Sequence, residues 1–192
     1  MKVGFIGLGN AGGKLAGSIL RNGFDLTVHD LNSSLVNEFI ERGAKSVGSP
    51  QEMAKRCDVV ITCLPSPKAC SEVMESSEGI LSGLSKGKIW LEMSTTDEAE
   101  IRRIGTLVEA IGALPIDCPV SGGCHRADTG NISIFAGCSR DAFERALPIL
   151  TTMGRRVLHT GDLGTASTLK VMTNYLATVN LASIAEALTT MK

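Results

Sequence analysis

The stretch Lys2–Leu20, KVGFIGLGNAGGKLAGSIL, decides the fold. An apolar run leads into three glycines, and an apolar pattern with helical spacing begins directly after them. The turn between the two fits the pattern G-x-G-x-x-G and consists of Gly7, Leu8, Gly9, Asn10, Ala11 and Gly12. In such a turn the first glycine permits the tight bend, the second lets the backbone approach a pyrophosphate, and the third lets the helix pack on the strand. The pattern alone is weak evidence, because glycine turns also form plain strand–helix connections.

The context of the turn strengthens the dinucleotide interpretation. Asp30 ends the next predicted strand, about 20 residues downstream, as the dinucleotide fingerprint expects. A carboxylate at this position accepts hydrogen bonds from the adenosine ribose hydroxyls and repels a 2′-phosphate. Leu31 and Asn32 follow, so no adjacent arginine is available to hold that phosphate. The sequence therefore favours NAD over NADP, with a merely solvated strand-end aspartate as the alternative.

The composition is that of an ordinary soluble globular protein. Of the 192 residues 43% are hydrophobic and 20% are charged, and the formal net charge is -1. No stretch gathers many Lys and Arg residues, which disfavours nucleic acid or an anionic membrane as a partner. Apolar runs such as 59–64 are too short to span a bilayer. We interpret the N-terminus as mature sequence, because it is Gly-rich and interrupted by Lys14.

The cysteines show no metal-binding spacing. They are Cys57, Cys63, Cys70, Cys118, Cys124 and Cys138, with no C-x-x-C pair among them. Several lie in apolar runs that read as strands, so we expect buried free thiols in a reducing cytosol and no zinc or other metal site. The expected location is therefore cytoplasmic.

Short apolar runs alternate with longer amphipathic ones along most of the chain. The predicted strands are Val3–Ile6, Leu26–His29, Val59–Cys63, Ile89–Glu92, Leu114–Asp117, Ile132–Phe135 and Val157–Thr160. The predicted helices lie near residues 11–22, 32–42, 50–56, 68–75, 97–111 and 139–152. Strands separated by helices form βαβ units, so we predict an α/β fold with a Rossmann-type, doubly wound and mostly parallel sheet that helices cover on both faces.

A last helix is predicted from Leu163 to Lys192. Apolar residues recur in it at helical spacing, at Leu169, Met172, Leu176 and Val179. No Gly, Asn or Pro stops it, so the chain looks cut inside a helix. We therefore predict a dinucleotide-binding domain at 1–162 and the start of a long interdomain helix at 163–192.

Four segments occur in a recognisable order: FIGLGNAG, CLPSP, CPVSGG with a downstream TGN, and GTASTLKVMTNY. Together they resemble the β-hydroxyacid dehydrogenase family, which includes 3-hydroxyisobutyrate, tartronate semialdehyde and 6-phosphogluconate dehydrogenases. Two positions depart from the family pattern: Ala11 replaces a Met, and Tyr175 replaces an Asn. The resemblance implies hydride transfer between NAD and a small β-hydroxyacid, or reduction of the semialdehyde in reverse, with decarboxylation left open.

The resemblance assigns the acid/base role to Lys170. Lys170 and Asn174 are four residues apart and so share one helix face, from which both reach one substrate oxygen. A lysine normally titrates at about 10.4, and burial beside a cofactor lowers that value. The alternative is an ordinary surface lysine on an amphipathic helix.

The resemblance also assigns substrate and cofactor contacts. Ser121, Gly122 and Gly123 follow a strand, and consecutive N–H groups on a glycine turn bind anions, here the substrate carboxylate. The alternative is a plain turn. Along the cofactor the resemblance places Leu64, Pro65 and Thr95, at the carboxyl ends of two predicted strands.

His125 and Arg126 stand where the family usually has small residues. Arg126 is a candidate for binding a second anionic group of the substrate, and a solvated loop pair is the alternative.

Three interpretations of the whole chain remain. The first is the dehydrogenase, a homo-oligomer at full length. The second is a non-catalytic nucleotide-binding or chromatin-associated scaffold, against which Lys170, Asn174 and the lack of a basic tail argue. The third is the cofactor domain of a longer enzyme whose all-helical second domain, implied by the resemblance, is absent here. The identity of the hydroxyacid depends on that further region and on the departure at His125 and Arg126.

Overall fold

The computed structural model describes residues 1–191. The strands are β1 (Lys2–Ile6), β2 (Asp25–His29), β3 (Lys45–Ser46), β4 (Val59–Thr62), β5 (Ile89–Glu92), β6 (Leu114–Asp117), β7 (Val120–Ser121), β8 (Ile132–Gly137) and β9 (Gly154–Gly161). The helices are α1 (Gly12–Arg21), α2 (Ser33–Glu41), α3 (Pro50–Arg56), α4 (Pro67–Glu75), α5 (Glu98–Ala110), α6 (Cys124–Asp128), α7 (Arg140–Met153) and α8 (Thr165–Thr190). A short 3-10 turn lies at Ile80–Ser82.

The parallel part of the sheet has the strand order β3-β2-β1-β4-β5-β6. β1 lies between β2 and β4, with Val3 opposite Leu26 on one side and Val59 on the other. The chain runs from β1 outward to β3 and then returns to β4 on the other side of β1, so the sheet is doubly wound. The predicted Rossmann-type α/β fold is confirmed, and its strand order reverses between β1 and β4, where such sheets bind ligands.

β7, β8 and β9 extend the sheet beyond β6, and the direction of the strands changes there. β8 runs antiparallel to β6 and β7, with Ser133 opposite Ser121, and β9 pairs parallel with β8. The strands predicted at 132–135 and 157–160 are present and are longer than predicted. The sequence pattern does not predict β3, β7 or α6, because two to five residues are too few to show a period.

Two apolar clusters cover the two faces of the sheet. Phe5 of β1 packs in the first cluster with Leu15 of α1, whereas its neighbour Ile6 packs in the second with Trp90 of β5 and Ile104 of α5. Because successive strand residues point to opposite faces, a sheet buried on both sides needs unbroken apolar strands. This requirement explains why the inner strands show no alternation of polar and apolar residues.

The first turn of α8 is anchored to the end of β6. Asp117 is 0% exposed, and its carboxylate accepts hydrogen bonds from the N–H and the Oγ of Ser167, each at 2.7 Å. Burial raises the pKa of Asp117, and the bonds from Ser167 oppose the shift because they stabilise the charged form. The strand therefore fixes where the long helix begins.

Beyond its first turns α8 is exposed. Its exposed apolar side chains lie on more than one side of the helix and are Val171, Met172, Tyr175, Leu176, Val179, Leu181, Ile184 and Leu188. An apolar surface of this extent is typical of a contact with another domain or chain. Even so, none of the helices in residues 1–191 has the length and hydropathy needed to cross a bilayer. Lys192, the last residue of the predicted helix, lies outside the described residues, and the domain division at 162 stays a prediction.

The anchor of α8 is tested by replacing Asp117, with Asp97, the N-cap residue of α5, as the control. Asp117→Ala leaves buried donors of Ser167 without an acceptor, so we expect unfolding free energy to fall by about 1.5–3 kcal/mol and the first amides of α8 to exchange faster. Urea denaturation and hydrogen exchange measure these effects. The control Asp97→Ala removes an exposed cap from α5, which should cost about 1 kcal/mol and leave α8 unchanged. Unaltered exchange in α8 of the Asp117 variant would refute the anchor.

Candidate functional site

Close backbone contacts hold the glycine turn. Gly7 has φ +94°, and a Cβ there would collide with the carbonyl oxygen of Cys63 just beyond β4. A Cβ on Gly12 would collide with the carbonyl oxygen of Gly7. The fold itself therefore requires both glycines, because β1, α1 and the end of β4 approach too closely for a side chain.

Gly9 is not constrained in this way. A Cβ on Gly9 would meet no described atom within 4 Å. Gly9 borders a cavity of about 700 Å³ at the carboxyl ends of β1 and β4. Beside it α1 begins with no side-chain cap on Ala11, and the N-cap residues of α6 and α8 are likewise uncapping glycines, whereas the other five helices each have a capping side chain. Uncapped N–H groups at a helix N-terminus bind phosphate, so the turn fits a pyrophosphate.

Most of the predicted cofactor residues border this cavity: Gly7, Gly9, Asn10, Ala11, Gly12, Asp30, Leu64 and Pro65. Leu8 and Thr95 are not part of its wall. The side chain of Leu8 is buried in the first apolar cluster, and Thr95 is exposed beyond the end of β5. The part of all ten in cofactor binding stays a prediction.

Asp30 holds the glycine turn in addition to bordering the cavity. Its Oδ2 accepts a hydrogen bond from the Leu8 N–H at 2.6 Å, and its Oδ1 accepts one from the Asn32 N–H at 2.8 Å. A carboxylate has about four lone-pair sites, so two backbone bonds leave sites for ribose hydroxyls. The sequence does not indicate the structural role of Asp30, which depends on the approach of the turn to the end of β2.

A buried carboxyl group orders the loops beyond β4 and β5. Glu92 accepts hydrogen bonds from Thr62 Oγ1 at 2.6 Å and from the Ser94 N–H at 2.7 Å. Ser94 Oγ in turn accepts a bond from the Leu64 N–H at 2.7 Å, which fixes one wall of the cavity. Burial raises the pKa of Glu92, and its hydrogen bonds oppose that shift. The sequence interpretation misses Glu92, although a charged residue at the end of an apolar strand is a detectable signal.

The second predicted site is the turn after β7. Ser121 is half-buried there, and Gly122 and Gly123 follow with φ +133° and +85°. Only glycine adopts such angles readily, and successive N–H groups in such a turn form an anion-binding concavity. The binding of a carboxylate by this turn stays a prediction.

Lys170 and Asn174 lie one turn apart on α8, as their spacing predicts. Lys170 is half-buried, and this burial lowers its pKa, whereas Asn174 is exposed. Lys170 follows the anchored Ser167 by one helical turn, so the bonds to Asp117 hold it near the end of β6. β6 and β7 both pair with β8 in one register, so the Ser121 turn lies beyond the same strand end to which the start of α8 is bonded.

Arg126 passes over the glycine turn of the second site. Its Cδ lies 3.1 Å from where a Cβ on Gly122 would be. It borders a small polar cavity together with Arg155 and Arg156 at the start of β9. The sequence does not indicate this neighbourhood, because it depends on how β9 pairs with β8.

Within residues 1–191, no group of three or more His, Cys, Asp or Glu side chains is placed to hold a metal ion. All six cysteines are free. Burial raises the pKa of Cys63 and of Cys138 to about 12, so both are protonated thiols at neutral pH.

Fold and cavity together define an NAD(P)-binding domain. Residues 2–161 match the family described as the NAD binding domain of 6-phosphogluconate dehydrogenase, and the chain belongs to that family. The resemblance predicted from the four sequence motifs is confirmed.

Curated relatives match along nearly the whole chain. The mitochondrial 3-hydroxyisobutyrate dehydrogenase of Mus musculus is 36% identical over 186 residues, which cover 97% of this chain and 56% of the relative. The 2-(hydroxymethyl)glutarate dehydrogenase of Eubacterium barkeri is 32% identical over 188 residues, which cover 98% and 62%. The chain thus spans a little over half the length of the curated relatives it matches.

Solved structures share the fold. The 3-hydroxyisobutyrate dehydrogenase of Mycobacterium tuberculosis with L-serine matches with a TM-score of 0.92 at 27% identity, covering 97% of this chain and 63% of that one. Psf3 in complex with NADP+ and 2-OPP matches with a TM-score of 0.92 at 26% identity, covering 97% and 66%.

Two glycine substitutions distinguish an effect on stability from an effect on NAD affinity. The methyl group of Gly9→Ala enters open space, so we expect thermal stability to stay unchanged or rise slightly. We expect NAD affinity to fall at least about tenfold, because the methyl group would occupy the space proposed for the pyrophosphate. Gly7→Ala should instead unfold the chain at lower temperature, because its backbone angle and its contact with Cys63 exclude a side chain. Calorimetry and thermal unfolding measure both effects. Normal NAD binding by the Gly9 variant would contradict the assignment of the turn.

Proposed function

We propose that the protein is an NAD-dependent β-hydroxyacid dehydrogenase, 3-hydroxyisobutyrate dehydrogenase-like or semialdehyde reductase-like. The observation that carries the proposal is the position of Lys170. This half-buried lysine is tied through Ser167 to Asp117 and stands at the sheet edge that carries the glycine-turn cavity and the Ser121 turn.

Each group has a defined task in this proposal. The N–H groups of residues 121–123 and the Ser121 hydroxyl bind the substrate carboxylate. Neutral Lys170 takes the proton of the substrate hydroxyl as the carbonyl forms, and Asn174 contacts the same region of the substrate. When bound, the nicotinamide cofactor supplies the hydride acceptor for the oxidation. In the reverse direction protonated Lys170 returns the proton to the carbonyl oxygen.

Several residues support NAD as the cofactor. Asp30 and Glu72 bring carboxylates to the cavity, and none of its described wall residues is Lys or Arg. A 2′-phosphate would meet negative charge and find no cation. Leu31, next to Asp30, is 99% exposed and adds no charge. The structure of Psf3 contains NADP+. The proposed preference for NAD over NADP therefore rests on the residues of this chain and not on that similar structure.

Arg126 supports a second anionic group on the substrate, and the name of one relative, 2-(hydroxymethyl)glutarate dehydrogenase, refers to a dicarboxylate. The substrate is thus proposed to be a small hydroxyacid rather than a macromolecule or a membrane lipid.

The share of a relative that the chain covers, 56% of the Mus musculus dehydrogenase, supports a second candidate: an inactive cofactor domain or NAD-binding scaffold. The exposed apolar side chains of α8 (171–188) support further packing in the full-length protein, against an all-helical domain and a second copy in a homo-oligomer. Free cysteines support a reducing compartment, and we propose the cytoplasm, although the Mus musculus relative is mitochondrial.

Calorimetric titration of both cofactors tests the NAD assignment. We expect NAD to bind at least about tenfold more tightly than NADP, a difference of about 1.4 kcal/mol. Leu31→Arg should narrow or reverse the difference, because it adds a cation at an exposed position beside the ribose, whereas Leu31→Gln should not. Equal affinities in the unmodified protein, or tighter NADP, would overturn the assignment.

Lys170→Ala tests the acid/base role in the longest form of the protein that can be produced. We expect unchanged NAD affinity and a loss of about 10²–10⁴ in turnover, with Lys86→Ala, an exposed lysine, as control. Because burial lowers the pKa of Lys170, oxidation should accelerate as pH rises through that lowered pKa, where the neutral base forms. Near-normal turnover in the Lys170 variant would exclude the role.

A further inference from the structure

A bulge brings two arginines of β9 to one side of the sheet. Ile132 pairs with Gly154 and Ser133 pairs with Arg156, so Arg155 is an extra residue without its own partner. In a regular strand consecutive side chains point to opposite faces, and a bulge interrupts that alternation. Arg155 and Arg156 consequently border the same cavity.

This cavity is cationic and polar. It measures about 380 Å³ and is bordered by Arg126, Asn131, Ser133, Arg155 and Arg156. Among the described residues, none of the three arginines forms an ion pair, whereas six other arginines of the chain do. No carboxylate belongs to the wall of the cavity. Three guanidinium groups therefore face a shared space with their charge uncompensated by the described chain.

The arginine cavity is adjacent to the Ser121 turn. Ser121 pairs with Ser133, which pairs with Arg156, so the three residues form one row across β7, β8 and β9. Residues directly opposite one another point to the same face, and two strand spacings amount to roughly 10 Å. Arg126 bridges this distance, because its side chain passes over Gly122 and reaches the cavity.

We propose that Arg126, Arg155 and Arg156 bind the distal anionic group of a doubly anionic β-hydroxyacid whose first carboxylate lies on the Ser121 turn. Guanidinium groups hold carboxylate, phosphate or sulfonate oxygens through paired hydrogen bonds, and Ser133 and Asn131 add further polar groups. A monocarboxylate leaves the three cations unpaired. The proposal rests on the proposed function for the first carboxylate and adds Arg155 and Arg156 as residues that determine specificity.

A matched pair of ligands tests the proposal on the 192-residue chain with NAD present. 3-Hydroxyglutarate and 3-hydroxybutyrate share the hydroxyl and one carboxylate, and the first has a second carboxylate. We expect calorimetry to show at least about tenfold tighter binding of 3-hydroxyglutarate, as expected for one charge-assisted contact. The double variant Arg155→Gln/Arg156→Gln should bind both ligands with similar affinity. Both side chains are exposed and unpaired, so the variant should fold, which thermal unfolding verifies.

Arg140→Gln is the control, because this exposed arginine lies on α7, forms an ion pair with Glu144 and does not border the cavity. The control should keep the preference for 3-hydroxyglutarate. A preference that survives in the double variant, or that is absent from the unmodified chain, overturns the proposal.

Inorganic phosphate distinguishes a substrate group from a free anion. If phosphate binding depends on Arg155 and Arg156 while the two hydroxyacids bind alike, the cavity is a separate phosphate site and the proposal fails. Failure of the proposed function has a different signature: an arginine-dependent preference for 3-hydroxyglutarate on this chain, with no turnover of any β-hydroxyacid by the longest form of the protein.

Discussion

The contact of backbone on backbone at Gly7 is the constraint on which the site depends. The turn after β1 approaches the carbonyl of Cys63 and the start of α1 so closely that neither Gly7 nor Gly12 has room for a Cβ. This approach aligns the uncapped end of α1 with the reversal of strand order between β1 and β4. The cavity exists at that point because the two parallel strands diverge into loops on opposite faces of the sheet.

Buried carboxyl groups repeat this ordering at the ends of neighbouring strands. Glu92 ties the loops beyond β4 and β5 together, and Asp117 ties α8 to β6. For both groups burial raises the pKa, while hydrogen bonds to the carboxylate act against that shift. Burial disfavours the charged form of each carboxyl group, and hydrogen-bond donors from a neighbouring strand, loop or helix stabilise that form. Their positions thereby convert the sheet edge into a rigid support for Leu64 and Lys170.

The sequence predicts what is local and misses what depends on register. The glycine turn, Asp30 and the βαβ order follow from patterns within about 30 residues, and the structure has the fold that they indicate. The antiparallel β8, the short β7 and the bond from Leu8 to Asp30 depend on the register in which strands and turns meet, which a pattern of residue types does not show. Arg155 shows the limit clearly: alternation along β9 would separate it from Arg156, and only the bulge against β8 brings the two together.

The two halves of the site differ in how much of their wall this chain supplies. The dinucleotide cavity is bounded by β1, β2, α1 and α4 and by the loop after β4, all packed on the sheet. By contrast, Gly122, Gly123 and Asn174 are exposed, and α8 beyond Lys170 presents apolar side chains to solvent. The dinucleotide cavity is therefore formed by groups that this chain positions, whereas the apolar surface of α8 is left open to a further contact. Cofactor binding and the further packing of α8 are consequently separable, because the first depends on the sheet edge and the second on the exposed apolar side chains of the helix.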